Sequence, residues 1–306
     1  MHKQGIGRWM VGLMLLLNLF GCGRATSGDE GELTLMVSIM PRKYFVERIG
    51  GERVMVNVMV EPGADPHTYE PQPDQMRALS AAAAYSSIGV DFEAVWLDKI
   101  AAANKEMRMV DILRDIERRP MAAHHHDEAD EHDEHHEHDD ESAAEGALDP
   151  HVWTSPALVK SQAEVIYEAQ AALDPAHQAE YEANLAAFLA DIETLERDIH
   201  ATLENVEHRK LMVFHPSWGY FADDFGLEQI PVEVGGQEPS ARELTQVIAT
   251  AREEQIKMIF AQPEFSTAAA ETLAREIDGE VLLITPLAYD WLENMRQVAE
   301  TFAEAL

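Results

Sequence analysis

The chain has 306 residues, enough for one large domain or for two lobes that each have their own core. Acidic residues outnumber basic residues by 56 to 23, and the net charge of −33 argues against nucleic acid as a partner, because phosphate recognition requires a basic face. The single cysteine excludes an intramolecular disulfide and a multi-cysteine metal site. Any metal site must therefore be built from His, Asp and Glu, and the chain holds 14 histidines.

Residues 1–21 have the pattern of a secretory signal peptide. Their apolar run, residues 9–20, follows two basic residues and is too short to span a bilayer as a helix. The run leads to Cys22 in a Leu-Phe-Gly-Cys sequence that is similar to a bacterial lipobox, although Phe20 is larger than the usual residue there. We expect cleavage before Cys22, lipid attachment at its side chain, and a polar tether over residues 22–32.

Strand and helix patterns alternate after the tether, which predicts a first α/β lobe with a mainly parallel sheet over residues 33–173. Apolar or alternating segments indicate the strands, while proline starts and glycine ends indicate helices. The predicted strands are residues 33–39, 53–60, 84–88 and 108–112, and the predicted helices are residues 41–49, 73–83, 92–103 and 155–173.

A segment within this lobe, residues 124–141, contains seven histidines, ten acidic residues and one alanine. This composition cannot form a packed core, so residues 121–146 are predicted to form a mobile surface loop. We expect its imidazoles to form weak auxiliary metal sites that the main site does not need, and a solvated acidic spacer is the alternative. These histidines are His124, His125, His126, His132, His135, His136 and His138.

A long helix is predicted after Asp174 and Pro175. Its apolar residues recur at spacings of three and four, which gives one apolar stripe along a rod of about thirty residues and ~45 Å. Such a rod can bridge two lobes, and we assign it to a linker over residues 174–207. A second α/β lobe follows over residues 208–306. Its predicted strands are residues 210–214, 227–234, 257–261 and 280–284, and its helices are residues 219–225, 240–254, 267–277 and the segment that begins at Asp290.

Three histidines, His67, His151 and His215, each stand next to a proline. Proline restricts the local backbone, so ligands on such turns lose less entropy when they bind a metal. His67 and His215 also follow predicted strands, at the edge where open α/β sheets place ligands. One such histidine alone is more often a surface or hydrogen-bonded residue, but three of them indicate a metal site. A carboxylate would complete a tetrahedral set that zinc favours.

Two residues compete for the role of that carboxylate. Asp290 follows the last predicted strand, and capping of the final helix is an equally good explanation for it. Glu264 follows the strand at 257–261 and is the alternative. Asp65 and Asp149, two residues before His67 and His151, orient those histidines or shape their turns, and we favour the turns.

Four segments together resemble one known family, the solute-binding lipoproteins of bacterial zinc and manganese ABC importers. They are EPGADPHTYEPQP (61–73), DPHVW (149–153), FHPSWGYFADDFGL (214–227) and PLAYDWLENM (286–295). The resemblance covers nearly all of the chain after residue 32. It implies two α/β lobes joined by one long rigid helix, with the metal in the cleft between them and only small lobe movements.

The resemblance also implies a ligand set and a role. The family's ligand positions match His67 and His151 in the first lobe and His215 and Asp290 in the second. Histidine at the third position is typical of zinc-type members, whereas manganese-type members commonly carry glutamate, and three imidazoles suit zinc better than manganese. Some zinc-type members have a disulfide in the second lobe, which this chain cannot form.

We therefore expect a non-enzymatic, monomeric receptor that captures Zn²⁺ as its transported ligand for an ABC permease and its ATPase. It would be extracytoplasmic and lipid-anchored to a bacterial membrane, on the periplasmic or cell-surface side. The alternatives are a manganese or iron receptor of the same type and a zinc-dependent hydrolase. The sequence contains no HExxH or GxSxG motif, and a site with four protein ligands leaves no position for a reacting water.

Overall fold

A computed structural model describes residues 32–121, 148–233 and 237–306. The predicted signal peptide and Cys22 lie outside these ranges, and so do the seven loop histidines from His124 to His138. Within the described ranges, no helix combines the length and the apolar character that crossing a membrane requires.

Two parallel sheets, each of four strands, form the framework of the described chain, which confirms the two-lobe α/β prediction. The strands are β1 (Leu33–Val37), β2 (Val54–Val58), β3 (Ala84–Ser87), β4 (Arg108–Asp111), β5 (Lys210–Val213), β6 (Glu228–Pro231), β7 (Met258–Ala261) and β8 (Glu280–Leu283). The strand orders are β2-β1-β3-β4 and β6-β5-β7-β8, so the two lobes repeat one topology. In each sheet the chain first adds a strand on one side of β1 or β5 and then continues on the other side. The loops beyond the carboxyl end of that strand therefore border a crevice.

Helices cover the sheets and link them. They are α1 (Met40–Gly50), α2 (Pro73–Ala78), α3 (Asp91–Ala103), α4 (Pro156–Leu173), α5 (Gln178–Leu203), α6 (Gly219–Phe225), α7 (Ala241–Glu253), α8 (Ala268–Glu276) and α9 (Trp291–Ala305). Helix α4 begins where the sequence predicts, because the Ser155 hydroxyl accepts the Leu158 N–H at 3.0 Å and Pro156 fits the first turn. Predicted helix 73–83 ends early, since residues 79–81 form a 3₁₀ turn.

Helix α5 is the predicted long helix, with 26 residues. Residues 175–177 form a separate 3₁₀ turn before it, so the α-helix starts three residues later than the pattern indicates. Its stripe packs against α1, α4 and α9. The buried residues of this stripe are Tyr181, Phe188, Ile192, Leu195, Ile199 and Leu203.

One continuous apolar core joins the two lobes. The Phe45 ring of α1 lies 5.7 Å from Phe188 of α5 and 5.1 Å from Trp291 of α9, measured between ring centroids. Trp153 Nε1 donates to the Pro286 carbonyl, and Trp291 Nε1 donates to the Trp153 carbonyl, both at 2.8 Å. A smaller core lies beneath α7 and α8. The lobes are thus packed on a common helix, which favours small relative movements.

Candidate metal centre

His67 lies in the loop after β2. The Asp65 carboxylate accepts the His67 backbone N–H at 2.8 Å and the Thr68 hydroxyl at 2.7 Å, so Asp65 shapes this turn, as favoured from the sequence. The His67 ring is oriented instead by Asp91, whose Oδ2 lies 3.0 Å from Nδ1. Asp91 is the first residue of α3 and its side chain is 68% exposed, whereas that of His67 is 13% exposed.

His151 precedes the 3₁₀ turn that leads into α4 and is buried. Asp149 Oδ1 accepts the His151 backbone N–H at 2.9 Å and lies 2.7 Å from the His151 Nδ1. Asp149 therefore shapes the turn and orients the ring, two roles that the sequence presented as alternatives. The Trp153 ring lies 5.2 Å from the His151 ring and walls the site on that side.

His215 follows β5 in the second lobe and is also buried. Its Nδ1 lies 2.7 Å from Oε2 of Glu233, a residue that comes just after β6. Its backbone carbonyl accepts a hydrogen bond from Gln262 Nε2 at 3.4 Å. A carboxylate at Nδ1 holds the neutral ring in the tautomer whose Nε2 lone pair is free for a metal.

The ring nitrogens of the three histidines lie close together. Among the described residues, the group of His, Cys, Asp and Glu side chains that could hold a metal ion consists of His67, His151 and His215, with ligand atoms within 4.8 Å of one another. The Nε2 atoms of His151 and His215 are 3.3 Å apart. Two nitrogens bound to zinc at tetrahedral angles are separated by ~3.3 Å, so this pair already has the spacing for the ion. Converging lone pairs repel one another, and a cation between them relieves that repulsion.

The electrostatics also suit a cation. Burial lowers the pKa of His151 to about 4, although the hydrogen bond that Asp149 accepts from this ring acts in the opposite direction, so the imidazole is neutral and can donate its lone pair. The hydrogen bond to His67 lowers the pKa of Asp91. Asp91, Asp149 and Glu233 place three carboxylates one imidazole ring away from the metal position, where they compensate the charge of a divalent ion.

Neither candidate carboxylate joins the three histidines in this structure. Asp290 is exposed, and its Oδ1 accepts the Glu293 N–H at 3.3 Å as the N-cap of α9, which is the role weighed against ligation in the sequence. Glu264 accepts a hydrogen bond from the Thr285 hydroxyl and lines a cavity of about 320 Å³ between the lobes. Burial raises the pKa of Glu264.

Asp91, Glu233 and Phe265 were not identified from the sequence. Asp91 lies four residues after the end of β3 and Glu233 two residues after the end of β6. The ring of Phe265, four residues after the end of β7, contacts two of the histidines. The available signal was their position, because all three follow the carboxyl ends of parallel strands, as ligand-binding residues of such sheets do.

Known proteins resemble this chain over most of its length. Residues 35–305 match the family model described as zinc-uptake complex component A, periplasmic (ZnuA). A crystal structure of ZnuA is 45% identical, with a TM-score of 0.80 over 90% of this chain and 99% of that chain. The high-affinity zinc uptake system protein ZnuA of Bacillus subtilis (strain 168) is 26% identical over 94% of this chain and 90% of its own length.

The zinc-binding protein AdcA of Streptococcus pyogenes serotype M3 (strain ATCC BAA-595 / MGAS315) is also 26% identical, over 90% of this chain. The match covers 55% of AdcA, so this chain spans about half the length of that relative.

Proposed function

The chain belongs to the periplasmic zinc-uptake complex component A family, and we propose from this premise that it is the substrate-binding component of an ABC importer that captures Zn²⁺ between its lobes. The family is one of solute-binding transport proteins, and its periplasmic setting implies an extracytoplasmic location. The ion is cargo, delivered to a membrane permease that is driven by its ATPase.

The convergence of three imidazole Nε2 atoms carries this proposal. Nitrogen ligands favour zinc over manganese, magnesium and calcium, which prefer oxygen. Each ring is already held by a carboxylate at its Nδ1, so little ordering is needed on binding. We propose His67, His151 and His215 as the protein ligands. Asp290 would have to leave its helix cap to join them, so we assign it no part in the resting site.

A hydrolytic role has little support from the same geometry. Each of the three carboxylates beside the histidines contacts an imidazole Nδ1 atom, which places it a full ring away from the metal position and outside the hydrogen-bond reach that a general base needs. Three protein ligands leave the fourth position on the ion open, unlike the four-ligand site expected from the sequence, so the distance of these carboxylates from the metal position is what argues against hydrolysis.

The remaining features are proposals from the sequence. We propose that Cys22 carries the lipid anchor, that the receptor is a monomer, and that residues 174–207 connect its two lobes. We also propose that the histidines within residues 121–146 bind zinc weakly and are dispensable for the tight site.

Metal titration of chelator-stripped protein tests the function. The mature chain, residues 22–306, is compared with a variant that lacks residues 121–146. We expect one tight zinc per chain in both, weak manganese binding, and loss of the tight site in His215→Ala. His208→Ala is the matched control, because His208 is exposed and outside the cluster.

Each contrary result has a defined meaning. Tighter manganese than zinc would change the substrate within the same type of receptor. Loss of the tight site on deletion of residues 121–146 would refute dispensability of the loop. A protein without any tight site would refute the receptor proposal itself.

A further inference from the structure

Phe265 occupies a position that core packing does not explain. It lies four residues after the end of β7, it is half-buried, and it is not a member of either apolar core. Its ring centroid lies 5.0 Å from that of His215 and 6.3 Å from that of His67. A large apolar ring that stays partly exposed to water gains less hydrophobic stabilisation than a ring buried in a core. The position of the Phe265 ring against two candidate metal ligands therefore calls for another explanation.

The turn that carries Phe265 is anchored to the site. The Phe265 N–H donates to the Gln262 carbonyl at 3.3 Å, and Pro263 restricts the backbone between them. The buried Gln262 side chain donates to the His215 carbonyl at 3.4 Å and to the Ser217 hydroxyl. The ring is therefore held against the histidines by a turn that is tied to the backbone of one of them.

The site has a deep side and a shallow side. His151 and His215 are 2% and 4% exposed, and Trp153 closes the site beyond His151. On the shallow side, the side chain of His67 is partly exposed and its partner Asp91 is largely exposed. Even so, the His67 Nε2 atom is buried. Phe265 lies against His67 and His215, which places its ring where it can cover the coordinating atoms on the shallow side.

We propose that Phe265 is a cap on the metal site and that zinc enters and leaves past its ring. The cap comes from the second lobe and covers His67 of the first, so a small separation of the lobes would uncover the ion. This inference rests on the proposed zinc-receptor function and adds to it the residue that controls metal exchange. A cap that blocks both directions changes the two rate constants more than it changes their ratio.

Exchange kinetics of the full mature chain, loaded with one equivalent of zinc, test the cap. Zinc loss is followed with an excess of a colorimetric chelator, and zinc uptake by stopped flow against a fluorescent chelator. For Phe265→Ala we expect both rate constants to rise about tenfold while Kd changes by less than about threefold. Phe265→Leu, which keeps part of the apolar volume, should lie between wild type and alanine.

Tyr167→Ala is the matched control, because Tyr167 is a partly buried aromatic residue on α4 outside the site. Its exchange rates should equal those of wild type. Unchanged rates in both Phe265 variants would overturn the cap. So would a weaker Kd with an unchanged uptake rate, since that result assigns Phe265 to ligand support alone. If the wild type itself bound no zinc at one equivalent, the receptor function would fail first, and the two failures are thereby distinguished.

Discussion

Glu233 provides a direct test of how the histidines are held. Its Oε2 lies 2.7 Å from His215 Nδ1, and its side chain is only 9% exposed. Glu233→Ala leaves the buried Nδ1–H without its acceptor, so the ring is free to rotate its Nε2 away from the metal. Removal of such an orienting partner typically lowers metal affinity by 10–100-fold, or about 1.4–2.7 kcal/mol. Burial places Glu233 at the upper end, because little water is available to replace it.

Two further substitutions separate charge from orientation. Glu233→Gln retains an oxygen that can accept from Nδ1–H and loses only the negative charge, so we expect about a tenfold loss of zinc affinity. Asp91→Asn should cost less, about threefold, because the Asp91 side chain is 68% exposed and water can serve His67 in its place.

The assay is competitive titration of each variant against a zinc chelator of known affinity at neutral pH, with circular dichroism to confirm folding. Glu228→Gln is the control, since Glu228 lies on β6, the strand that leads to Glu233, and its side chain is 63% exposed. If Glu233→Ala bound zinc as tightly as wild type, or Asp91→Asn lost more affinity than Glu233→Ala, the reasoning from burial would be refuted.

Three other outcomes follow from the structure. Asp290→Ala should lower the free energy of unfolding by about 1 kcal/mol through loss of the α9 cap and leave zinc affinity unchanged. Asp290→Asn should retain the cap. A large loss of zinc affinity in Asp290→Ala would restore Asp290 as a ligand. Burial lowers the pKa of His151 to about 4, while the unfolded ring titrates near ~6.5, so the folded metal-free protein binds fewer protons than the unfolded chain between these pH values. Urea unfolding should therefore show the free energy of unfolding of the metal-free protein falling by up to about 3 kcal/mol as pH falls through this window. The slope should flatten in His151→Gln, and a slope equal to that of wild type would contradict the assignment. Finally, metal-free and zinc-loaded protein should give nearly the same small-angle scattering curve, since the lobes share one core, and a large domain closure would overturn this expectation.

The grouping of the three histidines was predictable because their signals are local. Each of them adjoins a proline, and two of them, His67 and His215, follow segments that the sequence predicts as strands. Asp149, two residues before His151, was also a candidate from the sequence, but the other two orienting carboxylates were not predictable in the same way. Asp91 and Glu233 lie 24 and 18 residues from the histidines they contact, and only the order of strands in each sheet brings them to the same crevice.

Asp290 illustrates the opposite difficulty. Its two roles, helix cap and metal ligand, both fit its position in the sequence, and the choice depends on a distance. In the structure a local hydrogen bond to Glu293 N–H holds it at the start of α9. The shared core could not be predicted either, because 127 residues separate α1 from α5, 87 residues separate α5 from α9, and each helix shows only its own apolar stripe.

The distribution of charge suits a site that must both select and release its ion. Three imidazole nitrogens surround the proposed metal position, and nitrogen ligands favour zinc over the hard cations that prefer oxygen. The negative charge needed to attract a divalent ion sits one ring further away, on Asp91, Asp149 and Glu233. A carboxylate bound directly to the ion would hold it more strongly and would also accept calcium or magnesium. Because the charge acts through the imidazoles, any movement that breaks the contact between His67 and Asp91 weakens the ligand and its electrostatic support together. The most exposed of the three pairs, at the shallow side of the site, is therefore where release should begin.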